Sequence, residues 1–80
     1  MNYTSKNALK LTEREFKILC MIAYGFNNNE IASKLFVSVN TVKSAITVIF
    51  KKLDVKNRAQ AVYIAGVNGL FNQEEQPAVI

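Results

Sequence analysis

The stretch that decides the fold is residues 27–53, NNNEIASKLFVSVNTVKSAITVIFKKL. Asn27 and Ser38 each precede an apolar-periodic run, as helix-capping residues do, and Glu30 follows Asn27 by three residues, the spacing of a capping box. These signals predict a short helix of about nine residues and a longer helix over 39–53. Only three or four residues separate the two runs. So short a turn predicts neighbouring helices at a steep angle, the helix-turn-helix arrangement.

The longer helix has two unlike sides on a wheel of 100° per residue. The apolar side contains Val42, Ile46, Ile49, Phe50 and Leu53. The polar side has no acid, is bordered by Val48, and contains Asn40, Lys43, Ser44, Thr47 and Lys51. We therefore expect the apolar side to pack on a core and to hold the polar side outward.

Two further helices flank this pair. Thr12 and Glu15 form a second capping-box pattern, so a helix is expected over about 12–24, ended by a left-handed Gly25. After residue 53, Asp54 occupies a position that suits the left-handed conformation, and Asn57 caps a fourth helix that continues toward residue 69.

These elements predict an all-α, four-helix helix-turn-helix domain over residues 11–71. A flexible N-terminal arm is expected over 1–10, where the sequence is polar and unpatterned, and a disordered tail over 72–80.

Composition narrows the function classes. The 80 residues allow one small domain, and 10 Lys and Arg against 6 acids leave a net charge of +4, which favours a polyanionic partner. With one cysteine and no histidine, neither an internal disulfide nor a zinc site is expected, and no cofactor is predicted. The longest apolar run, ILCMIAY, has seven residues against the ~20 that span a bilayer, so a cytoplasmic protein without a membrane partner is expected.

The segments LTEREFKIL (11–19), NEIASKLFVSVNTVKSAI (29–46) and KKLDVKNRAQAV (51–62), with Gly25 between the first two, resemble the LuxR/GerE-type helix-turn-helix DNA-binding domain. The resemblance implies a four-helix effector domain, unrelated to winged helices, whose third helix enters the DNA major groove and whose fourth helix pairs two domains on a two-fold operator. Most members carry this domain behind a receiver or ligand-binding domain. The short chain predicts instead a stand-alone, GerE-like bacterial regulator associated with the nucleoid.

The chain departs from the family at the outer side of the third helix. Ala45 stands where a histidine is frequent, and Ser44 and Thr47 stand where members often have Lys, Arg or bulky groups. The operator sequence is therefore not predicted. A smaller departure is KLDV in place of KLGV, where Asp54 replaces a glycine by another residue that tolerates the left-handed region.

Base contacts are predicted on the polar side of the third helix, because its N-terminal half reaches base edges in this motif. Lys43 can donate to guanine O6 and N7, and the Thr47 methyl group can contact a thymine methyl. The predicted base-contacting residues are Lys43, Ser44, Thr47 and Asn40. The alternative for the small polar members is an ordinary solvated surface.

Phosphate contacts are predicted at the starts of helices and at basic residues. They are Asn28, Asn29, Thr41, Lys51, Lys56 and Arg58. Capping explains Asn27 better than a phosphate contact does. An alternative for Arg58 is a structural ion pair with a carboxylate such as Glu15, whereas Lys52 is expected to be solvated.

The fourth helix is apolar nearly all round. Ala61, Val62, Ala65 and Gly69 share the side expected on the core. A homodimer interface is predicted at Gln60, Tyr63, Ile64 and Val67, because exposed apolar residues in a small domain usually contact a partner. The alternative is that Tyr63 or Ile64 covers the edge of the core.

These patterns predict a sequence-specific regulator that binds double-stranded DNA as a homodimer. Two alternatives remain: an antagonist that dimerises with a larger LuxR-type regulator through the fourth helix, and a module similar to sigma-factor region four that binds RNA polymerase. An enzyme is not expected, because the sequence offers no nucleophile–base pair or metal cluster.

Overall fold

Four helices make up the part of the chain that the computed structural model describes, residues 10–69. They are α1 (Glu13–Ala23), α2 (Asn28–Leu35), α3 (Val39–Leu53) and α4 (Arg58–Val67). No strand occurs between residues 10 and 69, which confirms the all-α prediction. Residues 1–9 of the predicted arm, the last two residues of the predicted domain and the predicted tail over 72–80 lie outside the described residues.

The first two helices begin with the predicted capping boxes. Thr12 Oγ1 accepts from the Glu15 amide at 3.1 Å, and Glu15 Oε1 accepts from the Thr12 amide at 2.9 Å. Asn27 and Glu30 exchange the same two bonds at 2.8 Å each. Each box satisfies two backbone N–H groups that a helix start leaves unpaired, so these starts are specified locally.

Side chains also cap α3 and α4. Ser38 Oγ accepts from the Thr41 amide at 3.1 Å, and Asn57 Oδ1 accepts from the Gln60 amide at 2.9 Å. Gln60 Oε1 in turn accepts from the Lys56 amide at 2.7 Å. Gln60 therefore has a role within its own chain that was not expected from the sequence.

Left-handed residues lie beyond all four helix ends, and the one beyond α4 is Gly69 (φ 77°). Gly25 (φ 94°) and Asp54 (φ 58°) are at their predicted places. Phe36 is another, at φ 59° and ψ 44°, and it ends α2. A phenylalanine in this conformation was not predicted, because the left-handed region disfavours bulky side chains.

The turn between α2 and α3 contains three residues, 36–38, and the two helices are bent by 108° relative to each other. Both values confirm the predicted helix-turn-helix geometry. The apolar side of α3 faces the core, where Val42 and Ile49 are fully buried. α3 therefore presents its other side to solvent.

The core forms where α1 packs against α4 and α3, and α2 against α3. Five consecutive residues of α1, Ile18–Ile22, are buried, so this helix is enclosed on more sides than the predicted apolar stripe required. Cys20 is among them, as expected for a small apolar thiol. On α4, Ala61 and Ala65 are fully buried, which confirms the predicted core side.

One ion pair joins the start of α1 to the end of α3. Lys52 Nζ lies 2.7 Å from Glu15 Oε1, the same oxygen that accepts from the Thr12 amide. The prediction that Lys52 is merely solvated was wrong. The ammonium of Lys52, together with the Thr12 amide, holds the pKa of Glu15 below its ordinary value.

Among residues 10–69, no single helix is long and apolar enough to cross a membrane. The bent pair of α2 and α3 meets that test only by combined length and composition.

Candidate nucleic-acid interface

The outer side of α3 is exposed as predicted. Its exposed polar residues are Asn40, Lys43, Ser44, Thr47 and Lys51, with Val48 also exposed at the border. Buried Val42, Ile46 and Ile49 fix the helix from the opposite side. The outer side is therefore a rigid polar surface on a packed helix rather than on a loop.

A shallow depression opens where the starts of α2, α3 and α4 meet. Its lining residues are Asn27, Asn28, Asn29, Val39, Lys43 and Arg58. No acid is among them, and two are basic. A concave surface of this charge beside helix N-termini suits an anion, because the free backbone N–H groups at a helix start also carry partial positive charge.

The depression brings together residues that the sequence predicted separately. Asn28, Asn29, Lys43 and Arg58 all line it. The remaining predicted contacts do not: Asn40, Thr41, Ser44, Thr47, Lys51 and Lys56 are exposed elsewhere. Val39 was missed, although its place directly after the Ser38 cap puts it at the first turn of α3.

Arg58 holds α4 to the start of α2. Its Nη1 donates to Asn28 Oδ1 at 3.1 Å, and its Nη2 donates to the Phe26 carbonyl at 2.8 Å. The alternative that Arg58 pairs with Glu15 was wrong, since Lys52 has that role. A structural role for Arg58 is present nonetheless, with different partners.

Two hydroxyl groups near the outer side are already hydrogen-bonded. Thr47 Oγ1 donates to the Lys43 carbonyl at 3.1 Å, so its proton is used within the helix. Thr47 keeps a methyl group and acceptor lone pairs for an external contact. Thr41 Oγ1 lies 2.9 Å from Ser38 Oγ, which joins it to the cap of α3.

The basic residues of the surface differ in their internal partners. Lys43, Lys51 and Lys56 are exposed and form no ion pair within residues 10–69, unlike Lys52. Their charges are available to an external polyanion. Over the same residues, no cluster of three or more His, Cys, Asp or Glu could hold a metal ion.

The outer side of α4 exposes apolar surface. Tyr63 is 69% exposed and Val67 is 58% exposed, while Ile64 is half-buried. Gln60 is exposed, but its side-chain oxygen also accepts from the Lys56 amide just before α4. A dimer through these four residues stays a prediction. Among residues 10–69, the large apolar side chain with the greatest exposure is Phe36, at 93%, which is not on α4.

Comparison with known proteins assigns this fold to a family. The family model described as "Bacterial regulatory proteins, luxR family" matches residues 9–65. The transcriptional regulatory protein LiaR of Bacillus subtilis is 47% identical over 75 residues, which are 90% of this chain and 36% of LiaR. The CsgBAC operon transcriptional regulatory protein of Escherichia coli is 50% identical over 66 residues, 82% of this chain and 31% of that protein.

The response regulator protein VraR of Staphylococcus aureus is 49% identical over 61 residues, 76% of this chain and 29% of VraR. The chain thus spans about a third of the length of these relatives. The family match covers all of α1, α2 and α3 and most of α4. This chain therefore belongs to the luxR family of bacterial regulatory proteins and carries its helix-turn-helix DNA-binding domain.

Proposed function

We propose that this chain is a sequence-specific transcriptional regulator that binds double-stranded DNA with α3 in the major groove. The observation that carries the proposal is Lys43, an exposed basic residue in the first half of α3 that lines an acid-free depression beside the start of α2. A cation on a rigid helix next to helix N-termini fits a base edge flanked by phosphates. The family match supports the same docking.

In this mechanism, sequence is read by one strong contact and several weak ones. Lys43 donates to guanine O6 or N7. Thr47, whose proton is committed within the helix, accepts from a base amino group or contacts a thymine methyl. Asn40 and Ser44 provide adaptable hydrogen bonds at base edges.

Phosphates set the position of the domain without specifying sequence. Asn28 and Asn29 contact one phosphate at the start of α2. Thr41, Lys51, Lys56 and Arg58 supply the other contacts in this proposal. With ~4–8 phosphates neutralised by two domains, affinity falls steeply as salt rises.

Pairing of two copies through α4 would present two α3 helices to the DNA. Exposed Tyr63 and Val67 support a two-fold contact, in which each copy uses the same residues, Ile64 and Gln60 included. Two α3 helices then read half-sites about 10 bp apart. The operator is expected to be an inverted repeat.

The experiment is selection of bound fragments from random DNA, followed by gel-shift titration on the enriched site. Lys43→Ala should weaken binding about 5- to 150-fold for each half-site, because the variant loses one base-specific contact there. Lys34→Ala is the matched control, because Lys34 is exposed on α2 but outside the depression. It removes the same charge and should change affinity by less than about twofold. Unchanged operator affinity of the Lys43→Ala variant would refute the proposed base contact of Lys43.

The exposed outer side of α4 also favours a second function, that of an antagonist pairing with a larger member of the family. Random-site selection distinguishes the two. An enriched two-fold site supports the regulator, whereas no enrichment together with a stable complex with a larger luxR-type protein supports the antagonist. Retention on RNA polymerase core without DNA enrichment would instead support a polymerase-binding module.

A further inference from the structure

We propose that Arg58 is a positioning residue: it orients the side-chain amide of Asn28 so that the amide nitrogen donates to a DNA phosphate. This inference rests on the proposed DNA-binding function and deepens it. It replaces the simple view of Arg58 and Asn28 as two independent phosphate contacts with a pair that acts as one unit.

The orientation of the Asn28 amide follows from donor chemistry. A guanidinium has only N–H donors, so the Asn28 atom that lies 3.1 Å from Arg58 Nη1 has to be the carbonyl oxygen. The remaining group of the amide is NH2, which only donates. Asn28 also lines the acid-free depression, and a donor in such a surface matches the acceptor oxygens of a phosphate.

The guanidinium is itself held in place. Its second nitrogen, Nη2, donates to the Phe26 carbonyl at 2.8 Å, and the Arg58 side chain is half-buried. Phe26 and Asn28 flank Asn27, the cap of α2, so both bonds of Arg58 end at the same helix start. A lysine has a single charged nitrogen and does not reproduce these two hydrogen bonds from a planar guanidinium.

The position of Arg58 in its own helix supports a role outside that helix. It is the first residue of α4, where the helix dipole disfavours a cation, and the first turn of α4 contains no acid to compensate. The same charge is favourable next to an anion bound in the depression, which Arg58 lines. Through this side chain, the proposed pairing helix and the proposed phosphate site are joined.

The test is a double-mutant cycle on the selected operator with Arg58→Gln and Asn28→Ala. If Arg58 acts through Asn28, the two losses of affinity do not multiply. The affinity of the double variant should then be at least about fivefold higher than the product of the two single losses predicts. Asn29→Ala is the matched control, because Asn29 lies beside Asn28 in the same depression and has no bond to Arg58. Arg58→Gln and Asn29→Ala should multiply. Independent, multiplying effects of Arg58 and Asn28 would overturn the inference.

A second variant separates positioning from simple structural support. Asn28→Asp keeps an oxygen for Arg58 but replaces the donor NH2 by a charged acceptor. We expect an unchanged or higher melting temperature and an affinity loss larger than that of Asn28→Ala. If the affinity of Asn28→Asp simply followed its stability, Arg58 would be a structural residue only.

A measurement on the free protein keeps this inference distinct from the proposed function. In the ¹⁵N-correlated NMR spectrum, Arg58→Lys should shift the side-chain NH2 signals of Asn28 and leave those of Asn29 in place. Absence of that shift would overturn the positioning role even if the wild-type chain binds DNA. If the signals shift but the wild type binds no operator, the Arg58–Asn28 contact is supported. The proposed function, and with it the contact of Asn28 with a DNA phosphate, is then overturned.

Discussion

Phe36 ends α2 in the left-handed conformation with 93% of its side chain exposed. Both features are unfavourable: a bulky residue in this region costs about 1–2 kcal/mol, and the aromatic ring gains no burial in return. The conformation is required because three residues must turn the chain through the 108° bend into α3. The turn therefore carries local strain that a different residue at this position would relieve.

We predict that Phe36→Asn raises the free energy of unfolding by about 0.5–1 kcal/mol, because asparagine tolerates the left-handed region. The measurement is urea denaturation monitored by circular dichroism. Phe36→Ala is the control, since it removes the ring but keeps a Cβ in the strained conformation, and it should give no such gain. A Phe36→Asn protein less stable than Phe36→Ala would contradict this account.

Glu15 combines two roles at one oxygen, which accepts from the Thr12 amide and from Lys52. Its pKa is lowered from 4.5, chiefly by the bond from Lys52. A carboxyl whose pKa is depressed on folding contributes stability above its unfolded pKa. That contribution disappears as pH falls through the folded value.

We predict that Glu15→Gln, which keeps the capping-box acceptor but removes the charge, lowers the stability at pH 7 by a few tenths to about 1 kcal/mol. The difference from wild type should shrink as pH falls below 4.5 and vanish at lower pH. Urea midpoints of both proteins across this range measure it. A difference that stays constant with pH would exclude the Lys52 ion pair as its source.

At the scale of the element, α3 joins stability to recognition. Its buried side packs with Val42 and Ile49, and its exposed side presents Lys43. Lys43 lies in the second turn of the helix, so its position depends on an orderly start. Ser38 secures that start through bonds to the Thr41 amide and hydroxyl.

We predict that Ser38→Ala lowers the free energy of unfolding by about 1 kcal/mol and also weakens operator binding, because the first turn of α3 frays. Ser38→Asn restores a capping acceptor and should recover most of the stability. Thermal melts and gel-shift titrations on the same proteins provide the comparison. Equal stability of the alanine and asparagine variants would show that the cap contributes little.

Periodicity and capping predicted most of this element. The observed bounds of α3, Val39–Leu53, equal the predicted range, and its buried and exposed sides are those of the helical wheel. The strained Phe36 was not predicted, because nothing in a single sequence distinguishes an aromatic residue held left-handed in a turn from one buried in a core. Likewise, the burial of all five residues Ile18–Ile22 of α1 depends on its packing against α3 and α4 rather than on its own pattern.

On the scale of the whole molecule, α4 has one side on the core and one side without a partner among the described residues. Ala61 and Ala65 let α4 approach α1 closely, whereas Tyr63 and Val67 remain exposed. Exposed apolar residues in a small domain usually indicate a surface that contacts a partner. α4 is therefore the surface on which association is expected.

We predict that Tyr63→Glu abolishes self-association and lowers affinity for a two-fold operator more than for a single half-site, since avidity between paired domains is lost. Sedimentation equilibrium with and without operator DNA tests this. Phe36→Glu is the control, an exposed aromatic residue changed to the same acid on a different surface. A wild-type chain that stays monomeric on the operator at high concentration would refute the dimer.

The sequence by itself determined the helices, their caps and their faces. Thr12, Asn27, Ser38 and Asn57 each bond to an amide three residues away, and such contacts depend only on local spacing. It also indicated four of the six residues that line the depression, because helix starts and basic residues have recognisable roles.

Only the tertiary structure decided which distant residues meet. Arg58 bonds to Asn28 and Phe26, which precede it by 30 and 32 residues, and Lys52 pairs with Glu15 across 37. The sequence suggested Glu15 as an alternative partner for Arg58 and none for Lys52, whereas the packing of the helices places Lys52 against Glu15. The physical reason is that a long side chain can reach several partners, and the angle and spacing of packed helices select one of them.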